Sequence, residues 1–285
     1  MKTGIVLLNY NTENDIKRLV EEIIKSEFDK YIVVADNSEN REKKDELKSY
    51  IEKLENKNIS YIENSGNIGY YNGNLQGVKF LKRVGLQRCL ILNPDTGCTD
   101  WNGVVNSLNK KMDEDKSVFI CGPKVKIPDY DDVSTPKVEF TPFKEIIYNI
   151  CFPLSYFLGR KKIKRKSEKS GYVFSVEGSA YIVDIDKFIE IEDYFKNIFL
   201  YGEEIIFGLA AEKKNWKIWF EESCEILHYH PPRQESKTYD KFYMKSLQEI
   251  LNIFYKNKLI NKMVILSVKY KNSVKKVILK LRGAK

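Results

Sequence analysis

Two hydrophobic periods alternate along the first half of the chain. Gly4 to Leu8 is a short apolar run of strand length. After it, Ile16, Leu19, Val20, Ile23 and Ile24 fall on one face at helical spacing, and Thr12-Glu13-Asn14-Asp15 ahead of them resembles a capping box. Tyr31 to Ala35 reads as the next strand, followed by a charged helix whose buried stripe is Leu47, Tyr50, Ile51 and Leu54. Ile59 to Ile62 is a third strand, a helix runs from about Asn72 to Val84, Cys89 to Leu92 is a fourth strand, and Trp101 to Met112 is another helix. Strands alternating with helices of this length predict an α/β fold with a mostly parallel central sheet covered on both faces.

The second half is less regular. Pro123 to Pro142 reads as a proline-punctuated connection, and Phe143 to Leu158 as an aromatic helical stretch. Tyr172 to Asp184 predicts two short strands around Glu177-Gly178-Ser179, Glu203 to Lys213 a helix, and Lys217 to Leu227 strand pieces. From about Tyr239 onward the pattern is helical and basic. These shifts divide the chain into an α/β domain over 1–235 and a basic helical extension over 236–285.

Composition narrows the class. Of the 285 residues, 42% are hydrophobic and 31% charged, enough for a sizeable core and unlike a disordered chain. No apolar stretch approaches the ~18 residues needed to cross a bilayer. The early run Ile5-Val6-Leu7-Leu8 leads straight into Asn9-Tyr10-Asn11, so no secretory signal is expected and a cytoplasmic location is. The five cysteines (Cys89, Cys98, Cys121, Cys151, Cys224) are odd in number and irregular in spacing, which predicts reduced, mostly buried thiols rather than disulfides or a zinc knuckle.

The net charge of +8 invites polyanionic partners, and it is concentrated in Arg160 to Lys169 and in the tail from Lys269 to Lys285. Val274, Val277, Ile278 and Leu281 share a helical stripe opposite Lys275, Lys276, Lys280 and Arg282. Such a helix can lie on an anionic membrane, with Phe152, Tyr156, Phe157 and Leu158 as a second contact. The same stripe can instead pack on the catalytic domain or on a second copy in a homodimer. No nucleic-acid-binding motif is present, and no nucleic-acid partner is expected.

Ligands of parallel α/β sheets bind beyond the carboxyl ends of the strands, and four successive strands here end in polar loops: Asn9-Tyr10-Asn11, Asp36-Asn37-Ser38, Asn64 to Asn74, and Asn93-Pro94-Asp95. Each alone has the residues that turns use; four at one edge point to a ligand. A carboxylate at Asp36 can accept the imide N–H of uracil or thymine. Gly69 and Gly73 let backbone approach a flat or anionic ligand without a Cβ in the way. Asp95 is an oxygen donor suited to Mg2+ or Mn2+, which would neutralise a diphosphate. Nucleoside, diphosphate and divalent cation together describe a nucleotide-sugar site.

Seven blocks in order resemble an inverting family-2 glycosyltransferase of the GT-A fold, Rossmann-like in architecture, nearest the bacterial rhamnosyltransferase-like branch. They are Leu8-Asn9-Tyr10-Asn11, Val34-Ala35-Asp36-Asn37-Ser38, Asn67 to Asn74 with Gly77, Leu92-Asn93-Pro94-Asp95, Glu177-Gly178-Ser179-Ala180, Tyr201-Gly202-Glu203-Glu204 and Leu227-His228. The resemblance implies that Asp36 contacts the donor base. Asn9, Asn11, Asn67, Gly69, Asn72, Gly73, Asn74 and Asn93 would line the donor site, with Gly178 beneath the reacting sugar. It makes Glu204 the general base with Glu203 beside it, and gives Asp95 and His228 to a Mg2+ or Mn2+ on the diphosphate. The implied donor is dTDP-rhamnose or a UDP-hexose, and the implied acceptor a lipid-linked or cell-surface glycan. Inverting transfer needs one such base and positive charge at the leaving group, and a carboxylate at a helix N-terminus suits the first task.

The chain departs from the family where Glu-Asp-x-Asp becomes Glu203-Glu204-Ile205-Ile206, and where Ala210 replaces a common arginine. A catalytically impaired nucleotide-sugar-binding subunit is the competing reading. A sugar-phosphate nucleotidyltransferase would need a glycine-rich basic loop where Asn9-Tyr10-Asn11 stands. In His228-Tyr229-His230 an extended backbone points both imidazoles to one face; the resemblance singles out His228 and leaves His230 without a role.

Overall fold

The computed structural model describes residues 1–128, 132–134, 136–157, 169–229 and 237–283. Arg160 to Lys166, Leu158, His230 and Lys285 therefore lie outside the described residues, as do the side chains of Tyr156, Phe157 and Leu281.

The first half folds as its periodicities predict: β1 (Thr3–Asn9), α1 (Glu13–Ile24), β2 (Lys30–Asp36), α2 (Arg41–Lys53), β3 (Ile59–Glu63), α3 (Tyr70–Arg83), β4 (Arg88–Leu92), the two-residue β5 (Thr96–Gly97) and α4 (Trp101–Glu114). Strands β3, β2, β1 and β4 lie side by side and parallel. One expectation fails locally. Thr12 stands at the N-cap of α1 but makes no cap bond; its hydroxyl donates to Asn9 Oδ1 at 3.0 Å, so the side chain serves the loop instead of the helix.

The second half supplies β6 (Val118–Ile127), β7 (Asp132–Ser134), α5 (Pro142–Ile150), α6 (Phe152–Phe157), β8 (Gly171–Val173), β9 (Ala180–Asp184), α7 (Ile185–Glu190), a 3-10 turn (Glu192–Phe195), α8 (Glu203–Lys214), β10 (Lys217–His228), α9 (Lys237–Phe254) and α10 (Lys258–Gly283). The sheet continues from β4 through β9, β6 and β10 to β5; β9 is antiparallel to both neighbours and β10 parallel to β6. The sheet is mostly parallel, as expected: β3-β2-β1-β4 form its continuous parallel half, β6 and β10 are parallel to each other, and β9 and β5 run antiparallel to their neighbours. Strand β6 runs through a segment that reads as connection because Pro123 interrupts it. Pro123 pairs with Glu221, where the register with β10 shifts before Glu225, and a bulge is where a strand tolerates the missing N–H.

Alternate residues of β1 feed opposite faces, as the two-residue period requires. Ile5 and Leu7 pack with Ile16, Leu19, Leu108 and Met112 of α1 and α4; Val6 packs with Val78 and Leu81 of α3 on the other side. That second cluster also takes in Leu247, Ile250 and Leu251 of α9 and Val264 and Val268 of α10. Burying such a side chain stabilises by roughly 1.5–3 kcal/mol, so the C-terminal helices are held against the α/β body. Of the expected α10 stripe, Ile278 is buried and Val277 exposed. α10 also meets α5, where Asn149 Nδ2 donates to Ser267 Oγ at 3.1 Å.

Candidate active site

The polar strand ends gather along one edge, and short-range pairing decides which of them meet. β5 lies antiparallel on the end of β10, with His228 opposite Thr96, and Tyr229 N donates to Asp95 O at 2.8 Å. This register brings the Asp95 Oδ1 to 3.2 Å from His228 Nε2. Gly97 is small because a Cβ there would meet the Tyr229 ring at 2.8 Å. Arg18 ties the turn down by donating to the carbonyls of Pro94 and Thr96 at 3.0 and 2.8 Å.

A hard divalent cation fits this pair. Two adjacent ligands of an octahedral ion at about 2.1 Å stand about 3 Å apart, close to the spacing seen, and such ions are held by one or two side chains plus substrate phosphates rather than by a full protein cage. Among the described residues no group of three or more His, Cys, Asp or Glu side chains converges, so an ion held by this pair would have further positions open to substrate or water.

The second wall is the start of α8. Tyr201 and Gly202 both adopt positive φ, 69° and 94°, and this left-handed step delivers Glu203 and Glu204 into the first turn. Ser246 of α9 braces it by donating to Leu200 O at 2.9 Å. Glu203 is buried and Glu204 half-buried. The Glu204 carboxylate lies against Gly178, where an added Cβ would sit 2.6 Å from Oε1. Gly178 is fixed in turn by the Tyr70 hydroxyl, which donates to its carbonyl at 2.6 Å. Burial, then the charge of Glu203, and to a lesser degree that of Glu204 and Asp95, push the Tyr70 hydroxyl's pKa well up, against a lowering bond with Tyr181. Tyr70 therefore feels all three candidate acids at once. Asn93 joins the same wall because its N–H donates to Ser179 O at 2.8 Å.

Between these walls lies a cavity of about 510 Å3 whose lining includes Asn93, Gly178, Glu203, Glu204 and His228. Its lining also includes Glu145 and Asn149 of α5, Asp240 and Tyr243 of α9, and Lys271 and Lys275 of α10. The resemblance gave no role to Tyr70 or to these C-terminal residues. Tyr70 was at least inside the Asn67–Asn74 block, whereas nothing local marks helical lysines some 70 residues past the acids as lining the same cavity.

The loops after β1, β2 and β3, expected from the sequence to hold the donor, lie outside the lining of this cavity and carry more structure than the sequence suggests. Asp36 is fully buried: Oδ1 accepts from Ser38 N at 2.8 Å and Oδ2 from the Tyr61 hydroxyl at 2.9 Å. Burial and the Asp36 charge push the Tyr61 pKa up. Asn9 is also fully buried and spans the loops, accepting from Thr12 and donating to Ser38 Oγ at 3.1 Å. Asn74 is buried and donates to Tyr70 O at 3.0 Å. Asn67 Oδ1 accepts from Gly69 N at 3.2 Å, and Asn72 Nδ2 donates to Ile68 O at 3.4 Å. Asn11 is exposed at φ 58°.

The two glycines do not have the open faces expected of them. A Cβ on Gly69 would lie 2.3 Å from Phe199 O, and one on Gly73 2.6 Å from Leu8 Cδ1. With Gly77 against Val6, Gly73 lets α3 settle on β1. Of the departures from the family motif, Glu204 in place of Asp lines the cavity, whereas Ile206 and Ala210 of α8 are fully buried in the core and do not.

The fold and this edge are those of a GT-A glycosyltransferase architecture. Residues 4–170, more than half the chain, match the family model described as Glycosyl transferase family 2, and the chain belongs to that family. A low-salt glycan biosynthesis hexosyltransferase, Agl10 of Haloferax volcanii, is 26% identical over 241 residues, covering 81% of this chain and 68% of its own. A crystal structure of GalNAc-T7 with UDP, GalNAc and Mn2+ superposes over 89% of this chain with a TM-score of 0.61 at 16% identity, which shows the shared GT-A fold; this chain spans 47% of that one. The α/β, GT-A assignment made from the sequence stands.

Proposed function

We propose that the protein is an inverting hexosyltransferase that moves a sugar from a pyrimidine-nucleotide diphosphate, dTDP-rhamnose or a UDP-hexose, to a lipid-linked precursor of a cell-surface glycan. The observation that carries this is one cavity lined by Glu204, with its carboxylate against Gly178, and by His228, whose Nε2 stands 3.2 Å from Asp95 Oδ1. The similarity to a hexosyltransferase of glycan biosynthesis supports the reaction class, and the UDP and Mn2+ held by the GalNAc-T7 neighbour support the donor chemistry.

In this reading the diphosphate lies beside Asp95 and His228, and a Mg2+ or Mn2+ there would supply positive charge to the leaving oxygen. The sugar rests over Gly178, where the absence of a side chain leaves room for it. The acceptor hydroxyl enters from the α5–α10 end of the cavity, opposite the diphosphate. Glu204 takes its proton as the new bond to the anomeric carbon forms and the bond to the diphosphate oxygen breaks. Residues 1–235 do the chemistry, and the helices after 236 complete the acceptor end. A lipid-linked acceptor would keep the protein at the cytoplasmic face of a membrane; no described helix is long and apolar enough to cross one.

The test is transfer by purified protein, with Mn2+, from candidate dTDP- and UDP-sugars to a synthetic lipid-linked acceptor. Glu204→Gln is expected to lower kcat by about 10^2–10^4-fold, the usual worth of a positioned base, with donor affinity kept. Unchanged turnover in that variant removes Glu204 from the role. Donor binding without transfer to any acceptor in a broad panel supports the binding-subunit reading instead.

A further inference from the structure

The 26-residue α10 contains no acidic residue, and its surface divides into three lengthwise bands. At 3.6 residues per turn, Asn261, Val264, Ser267, Val268 and Ile278 form one band, buried on the protein. Leu259, Met263, Leu266, Tyr270 and Val277 form a second, spaced by four and three residues and exposed, Leu259 to 68%. Lys258, Lys262, Lys269, Lys276 and Lys280 form the third, exposed and directly beside the apolar band; one of them, Lys276, contacts Asp240 at 3.3 Å. The helices next to it repeat the apolar pattern: Phe143, Ile147 and Ile150 of α5 and Leu154 of α6 are exposed at the same spacing. Ten of the sixteen large apolar side chains exposed among the described residues belong to α5, α6 and α10, so this exposure is a concentrated surface and not scatter.

We infer that the outer face of α10 is an interfacial membrane-docking helix that lies flat on an anionic lipid surface, its apolar band among the acyl chains and its lysine row on the headgroups. Charge selects this occupant. A second copy would set the same acid-free lysine row beside itself, whereas an anionic bilayer complements it along the full helix, about 39 Å at 1.5 Å per residue. The band is also not the one read from the sequence, because Ile278 of that stripe faces the protein. The inverse side of α10 carries Lys271 and Lys275 into the catalytic cavity, so docking would bring the acceptor end of that cavity toward the bilayer. This deepens the membrane placement proposed above, yet its test involves neither donor nor acceptor and can succeed or fail apart from the transfer reaction.

The experiment is sedimentation of the full chain with extruded vesicles of phosphatidylcholine alone or mixed equally with phosphatidylglycerol. Expected is at least tenfold tighter partitioning to the anionic vesicles, weakened by 0.5 M salt as screening requires. Met263→Glu/Leu266→Glu and, separately, Lys262→Glu/Lys269→Glu should each reduce partitioning at least tenfold, with far-UV circular dichroism and thermal midpoint retained. The control Lys48→Glu/Lys53→Glu, on α2 beside the opposite edge strand β3, should lower it far less. Equal binding to both vesicle types, equal losses in the control, or no vesicle binding by the folded protein overturns the proposal. So does a lipid-free dimer that the α10 variants dissociate, which would make a second copy the occupant.

Discussion

Glu204 Oε1 occupies the space just beyond Gly178: a Cβ built on that glycine would stand 2.6 Å from it. The contact is with the tip of a flexible side chain, so Gly178→Ala can be accommodated by moving the carboxylate and leaves the backbone unstrained. The expected result is a folded protein with a near-unchanged thermal midpoint and a kcat lowered by about 10–10^2-fold, since a displacement of order 1 Å can cost that much. Steady-state kinetics beside a thermal melt would separate the two; a wild-type kcat argues against the Gly178–Glu204 contact as a reacting-centre feature.

The Asp95–His228 pair gives a prediction of its own. Removing either donor, as in Asp95→Asn or His228→Ala, should weaken Mn2+ affinity measured with UDP or dTDP present by tenfold or more, and chelation should abolish transfer until Mn2+ is restored. Calorimetric or EPR titration of Mn2+ checks this. Equal affinities in wild type and both variants would detach these residues from the cation.

In the proposed function Asp36 would accept the imide proton of the donor base. Because both its oxygens are already engaged and the group is buried, the Tyr61 hydroxyl must turn aside for a base to reach Oδ2. UDP and dTDP should then bind about tenfold or more tighter than their N3-methyl analogues, the scale of one hydrogen bond to a charged group. Identical binding curves for the methylated nucleotides would leave Asp36 a purely structural residue of the loop.

The cysteines report on the core. Cys151 is exposed, while Cys89, Cys121 and Cys224 are buried. Burial, and after it the charge of Glu221, push the Cys224 thiol up to about 12. At pH 8 only about one Cys224 in 10^4 is thiolate, and the thiolate is the reacting form. Mass spectrometry after brief iodoacetamide treatment of the native protein should find Cys151 modified first. Modification of Cys224 at a comparable rate would contradict the packing of β10.

Much of the first half was legible from periodicity, because β1, β2 and β3 are each followed directly by a helix and the polar residues of the loops are contiguous. The β6 strand was hidden by Pro123, whose missing N–H is tolerated only because β10 shifts register beside it. Gly69 and Gly73 show the limit of residue type: the sequence says that a Cβ is absent, and only coordinates say whether ligand or protein fills the space. Here the occupants are Phe199 O and the Leu8 side chain. Thr12 makes the same point, since its hydroxyl had two local partners to choose between and took Asn9.

Local order along the chain, then, determined the alternation of strands and helices, the row of polar strand ends, and the pairing of Glu203-Glu204 with a helix start, because each depends on neighbours within a turn or two. Tertiary structure decided that β5 pairs with β10 to bring Asp95 to His228, that the Tyr70 hydroxyl bonds the Gly178 carbonyl beside Glu204, and that α5, α9 and α10 contribute to the lining of the cavity. These contacts join segments far apart in sequence, and they are selected by how whole elements bury their apolar faces, a quantity no local pattern encodes.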